Sequence, residues 1–238
     1  MKKRFFSLLC AVTLLCSILP LSYADEVEEG PLGVTTEETS PAPAVVAQIG
    51  LFYDDGAMDG VNLENSVGMG YRLGYMDEER VFQTLGYIGE SMVSVVKNEN
   101  VWYGTYKDYT CYFDDITSDI PVGCWYVQIP AEASSFEEAQ EFINGSDGYF
   151  PAWINGEWQI RYGSYADEST AQEVADAMGG VVVGTSGYGV SVVRRGTSAV
   201  LFQFDGGADY SLALNPGLDD EIKAVTWMKN NKYYGIFQ

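Results

Sequence analysis

The sequence predicts an α+β fold: a βαββαβ module, with four antiparallel strands and two helices on one face, preceded by a β-rich unit. Three observations carry this. Strand and helix signals alternate in that order across residues 122–195. The same stretch echoes itself in two strand-plus-helix halves. Residues 48–116, by contrast, hold only short Tyr- and Val-rich runs broken by Gly, Asn and Asp.

In chain order, Lys2, Lys3 and Arg4 precede an apolar run from Phe5 to Leu19, and Ser22-Tyr23-Ala24 ends it with small residues. That run is shorter than the roughly 20 residues a spanning helix needs. Residues 1–24 therefore read as a signal peptide cleaved after Ala24, which predicts an exported protein without a membrane segment. Leu15 stands before Cys16 where a lipidation motif wants a small residue. Residues 25–47 mix acidic residues with Thr, Ser and Pro and read as a disordered linker.

In the β-rich unit, residues 48–53 read as a strand and Asp54-Asp55-Gly56 as a turn, with further strands at 68–75 and 91–96. The module opens with a strand at 125–130. Ser135 and Glu138 then have capping-box spacing, with Phe136, Ala139 and Ile143 on one helical face. Strands at 149–154 and 157–165 flank Asn155-Gly156, a strong hairpin signal. A second helix is predicted over 168–178, with Ala171, Val174, Ala175 and Met178 inward and Gly179-Gly180 as its stop. Residues 181–183, continuing through 188–193, are expected to supply the last strand. Residues 196–238 read as a β tail.

Composition narrows the chemistry. Net charge is −21, and removing the three basic signal residues leaves ten basic against 34 acidic residues. Such a chain repels nucleic acid and anionic lipid. Histidine is absent, which excludes His-based catalytic pairs and His-ligated zinc. Asp54, Asp55 and Asp59, like Asp114, Asp115 and Asp119, lack the spacing of a calcium loop and read as solvated turns. The Gly184–Gly189 stretch lacks the Lys-Ser/Thr of a phosphate loop. No cofactor, no metal and no enzymatic activity are expected. Cys111 and Cys124 are placed either to bridge two strands or to sit as buried thiols.

Two segments resemble known families. Tyr126-Val127-Gln128-Ile129-Pro130 and Ile160-Arg161-Tyr162-Gly163-Ser164-Tyr165, each followed by an Ala- and Glu-rich helix, resemble the repeated motif of SPOR (sporulation-related) domains, with Pro130 where Gly is usual. Asn62-Leu63-Glu64-Asn65 and Gly70–Tyr75 are similar to the leader region of secreted clostridial proteins. In those proteins a SPOR-like segment precedes a stage II sporulation protein D/LytB amidase-enhancer domain. Residues 223–235 look like the entry strands of that domain, without the segment that carries its catalytic glutamate. The resemblance implies a secreted, cell-wall-associated, non-catalytic peptidoglycan binder whose ligand includes glycan strands stripped of peptide. Docking of another envelope protein, or a remnant of a lytic enzyme, are the alternatives.

Strand alternation locates the expected binding face. With Val127, Ile129, Trp158, Ile160 and Tyr162 against the helices, Tyr126, Gln128, Gln159 and Arg161 fall on the open face. Trp153 is expected to join them, with Tyr165 at the edge. Aromatic rings stack on sugars, while Gln and Arg donate to their oxygens.

Overall fold

The computed structural model describes residues 58–66, 70–216, 225–228, 231–234 and 236–238. The expected signal peptide, linker, first strand and Asp54-Asp55-Gly56 turn lie outside the described residues.

Six strands come first: β1 (Gly60–Asn65), β2 (Tyr71–Met76), β3 (Phe82–Ile88), β4 (Met92–Lys97), β5 (Val101–Tyr106) and β6 (Tyr109–Phe113). Lys107 and Asp108 join the last two at φ 46° and 66°, the left-handed pair that a tight hairpin requires. Next come β7 (Pro121–Val122), β8 (Trp125–Gln128), α1 (Phe136–Ile143), β9 (Tyr149–Ile154), β10 (Glu157–Tyr165), α2 (Glu168–Met178) and β11 (Val181–Val183). The chain continues as β12 (Val190–Arg194), β13 (Val200–Asp205), β14 (Leu212–Asn215), β15 (Val225–Met228) and β16 (Asn231–Tyr234).

Local chemistry explains the helix ends. Ser135 Oγ accepts the Glu138 N–H at 3.1 Å, and the Glu138 carboxylate reaches back to the Ser134 N–H at 2.8 Å. The Asp167 side chain accepts from the Thr170 N–H at 2.8 Å, and Gly179 ends α2 at φ 69°. Asn155 and Gly156, at φ 50° and 91°, turn β9 into β10.

The fold is mostly β, and the expected four-stranded sheet with two helices does not exist as a unit. Strands β8 to β11 belong to a ten-stranded mixed sheet, ordered β11-β8-β10-β9-β13-β12-β4-β1-β15-β16. β9 would have been an edge strand, but it pairs in parallel with β13; the other pairings in this sheet are antiparallel. Burial gives the reason. Phe150, Pro151, Ala152 and Trp153 are buried on both faces of β9, the pattern of a central strand rather than an edge. The expected continuation of 181–183 into 188–193 is also corrected: β11 pairs with β8, whereas β12 lies between β13 and β4.

Two three-stranded sheets, β14-β2-β3 and β6-β5-β7, complete the architecture. The first packs Tyr71, Leu73, Ile88, Leu212 and Leu214 against Leu63, Val93, Val192, Phe202 and Phe204 of the large sheet, with Phe136 of α1 in the same core. The second packs Val101, Cys111 and Tyr112 on the opposite side, against Val96, Val193, Val200, Phe150 and Tyr126. The helices share one side with the β14-β2-β3 layer, where Ala139 and Ile143 of α1 meet Ile160.

Candidate functional site

The face expected to be open is closed. The β6-β5-β7 sheet covers it, so Tyr126 is fully buried and Arg161 is 4% exposed. Cross-strand register brings Arg161 beside Gln128 on β8 and Phe150 on β9. The Arg161 guanidinium donates twice to Gln159 Oε1, at 3.1 and 2.8 Å, and once to Gln203 Oε1 of β13. It also lies 5.8 Å from the Tyr126 ring centroid. Burial pulls the Arg161 pKa down to about 10, against the favourable fields of Tyr126 and Asp205. Burial likewise raises the Tyr126 phenol to about 12, while its hydrogen-bond partner Ser191 works the other way.

From Tyr126 the network runs on to Ser191 Oγ at 3.2 Å and from Ser191 to Asn98 Oδ1 at 2.8 Å. Two buried donors, Asn98 Nδ2 and Gln203 Nε2, find no acceptor among the described residues. Gln128 and Gln159 are half-buried at the margin of this cluster. It is an interior polar network, inaccessible to a polymer.

Trp153 lies on the other face. Its strand partner is Trp158, and it stacks on Phe204 at 5.1 Å and 14° and on Tyr75 at 5.2 Å. Alternation along β9 places Phe150 and Ala152 with Arg161, so Trp153 must point away from it. Tyr165 is half-buried opposite Trp125, after the irregularity at Gly163, whose φ is 66°. Of the six expected binding residues, the structure brings Tyr126, Gln128, Gln159 and Arg161 together beneath a second layer and sets Trp153 and Tyr165 apart.

Cys111 and Cys124 are free thiols, the first buried and the second half-buried. The Cys111 thiol donates to Asn62 Oδ1 at 3.4 Å, and burial raises its pKa. Asp59 pairs with Lys97 at 2.8 Å and accepts the Asp114 N–H at 3.4 Å. Among the described residues no group of three His, Cys, Asp or Glu side chains is placed to hold a metal.

Among the described residues an open concavity lies elsewhere. A cleft of about 480 Å³ is lined by Arg72, Thr84–Tyr87, Ser135, Glu137 and Trp158, where β3 meets the start of α1. Gly86 permits that meeting: a Cβ there would lie 2.3 Å from the Phe136 ring, so only glycine lets α1 close on β3. Trp158 is half-buried and held by aromatic neighbours, edge-on to Phe136 at 6.1 Å and tilted to Phe202 at 6.2 Å. A fixed indole offers a flat apolar face without the entropy cost of ordering it on binding. Tyr87 is 39% exposed and stands beside Arg72 in the β2–β3 register.

The cleft thus combines aromatic surface, a hydroxyl from Thr84, one cation and one carboxylate. Sequence reasoning assigned Trp158 to the packed face and Ser135 to a helix cap, and so missed them here. The one available signal was a tryptophan just after an Asn-Gly turn, and it does not reveal that a strand of another sheet, some seventy residues earlier, lines the same cleft. Compared with family models, curated proteins and solved structures, the chain matches none.

Proposed function

We propose that this chain is an exported, non-catalytic cell-wall protein that binds peptidoglycan glycan strands in the cleft at Trp158. The observation that carries the reading is the cleft itself: an indole immobilised by Phe136 and Phe202 on the wall of an open concavity of about 480 Å³. Sugars bind proteins through ring stacking and a few directed hydrogen bonds, and this wall supplies both kinds of group. Glu137 is the single carboxylate among the described lining residues. The basic-then-apolar N-terminus supports an exported compartment, and the resemblance of 126–130 and 160–165 to SPOR motifs suggests the ligand class, while the motif residues Tyr126 and Arg161 are themselves buried away from the cleft.

The test is co-sedimentation of the full-length chain with purified peptidoglycan. Trp158→Ala is expected to cut retention about tenfold, as loss of one stacking aromatic does, while Trp158→Phe keeps most of it. Absent retention, or retention untouched by Trp158→Ala, would overturn the reading. A second reading, docking of an envelope protein, rests on β11, which ends the large sheet with Val181 63% exposed. Soluble glycan fragments should compete with a peptidoglycan partner and leave such a protein contact intact.

A further inference from the structure

A sugar ring stacked on Trp158 draws only on the aromatic wall of the cleft and leaves its charge unused. Glu137 is exposed in the first turn of α1 and lines the same cleft. Its neighbour Glu138 is taken up by the helix cap, accepting from the Ser134 N–H at 2.8 Å and from the Ser134 hydroxyl at 2.7 Å. Glu137 has no ion-pair partner among the described residues. Arg72, the cation of this wall, already has an interaction within the protein. The charge that the cleft holds out to a ligand is therefore negative.

One simple change to a glycan supplies the matching group. An amino sugar whose acetamido group has been hydrolysed carries an amine. Once protonated, that amine is attracted both to a carboxylate and to the face of an indole. The neutral acetamido group draws on neither attraction. We propose that the cleft prefers N-deacetylated glycan, with the sugar ring on Trp158 and its ammonium group directed to Glu137. This rests on the glycan reading above and names the chemical form of the strand that binds. The net charge of −21 acts in the same direction, because the field of an acidic chain draws a cationic ligand toward it.

Calorimetric titration of the full-length chain, at mildly acidic pH where the amine is protonated, tests this with two probes of equal length. One is a glucosamine tetramer; the other is an N-acetylglucosamine tetramer. The glucosamine tetramer is expected to bind about tenfold tighter, the scale of one charge-assisted contact. Glu137→Gln should bring the ratio of the two affinities toward one. Glu173→Gln removes the same charge from an exposed position on α2 outside the cleft and should leave the ratio unchanged. Equal affinities, tighter binding of the acetylated tetramer, or a preference that survives Glu137→Gln would overturn the inference and leave the glycan reading standing. If neither tetramer binds, both fall.

Discussion

Arg161 shows how much a single side chain's surroundings alter its role. Its guanidinium stays charged at neutral pH even with its pKa drawn down to about 10, yet among the described residues no carboxylate lies within ion-pair distance of it. Two glutamine oxygens and the face of Tyr126 solvate it instead. Hydrogen bonds to a buried charge contribute more than neutral ones, and an orphaned buried charge is costly. Gln203→Met removes one of those oxygens at nearly constant volume. It is expected to cost about 1.5–3 kcal/mol in urea unfolding, while peptidoglycan retention per folded molecule stays at the wild-type level. A large fall in retention would show that the covered face takes part in binding. Gln, Arg and Tyr at alternating positions suggested a wet, sugar-facing surface; the same residues satisfy one another once a second sheet excludes water.

At the scale of elements, the local grammar was legible. Ser135 and Glu138, Gly179 and the Asn155-Gly156 pair all act within four residues of the element they end or turn, and interactions of that range are written in consecutive letters. Gly86 is a different matter. Nothing around it in the sequence marks it, yet Phe136 of α1 occupies the space its side chain would need. Gly86→Ala must displace Phe136 or bend β3, and overpacking of this kind costs about 1–3 kcal/mol. The expected outcome is a lower urea midpoint together with weaker retention on peptidoglycan, because Phe136 also steadies Trp158. Unchanged stability would mean that α1 and β3 are less closely joined than the cleft requires. The same join explains why the cleft was invisible beforehand: its walls come from residues 72–87 and 135–158, which no periodicity connects.

For the whole molecule, the decisive fact is that β9 has two neighbours. With β10 on one side and β13 on the other, Trp153 and Phe150 are enclosed by residues from outside 122–195, Phe204 and Tyr75 for the first and Val200 and Tyr112 in the core of the second. An isolated 122–195 fragment would expose that apolar strand as an edge. It is expected to lack cooperative thermal unfolding and to aggregate, whereas the full-length chain unfolds in one transition by circular dichroism. A fragment that melts cooperatively would restore the self-contained module that the pairing argues against. Composition and short-range pattern were enough to specify the helices, their caps, the hairpin turn and the acidic, histidine-free character of the chain, because each depends on neighbouring residues or on simple totals. Which strands became neighbours, which sheet face was covered, and where a tryptophan was left beside open space depended on contacts between separate segments of the chain, about fifty residues apart for β9 with β13 and about seventy for Trp158 with β3. An alternating strand is equally compatible with water or with another sheet on its polar side until the rest of the chain has packed.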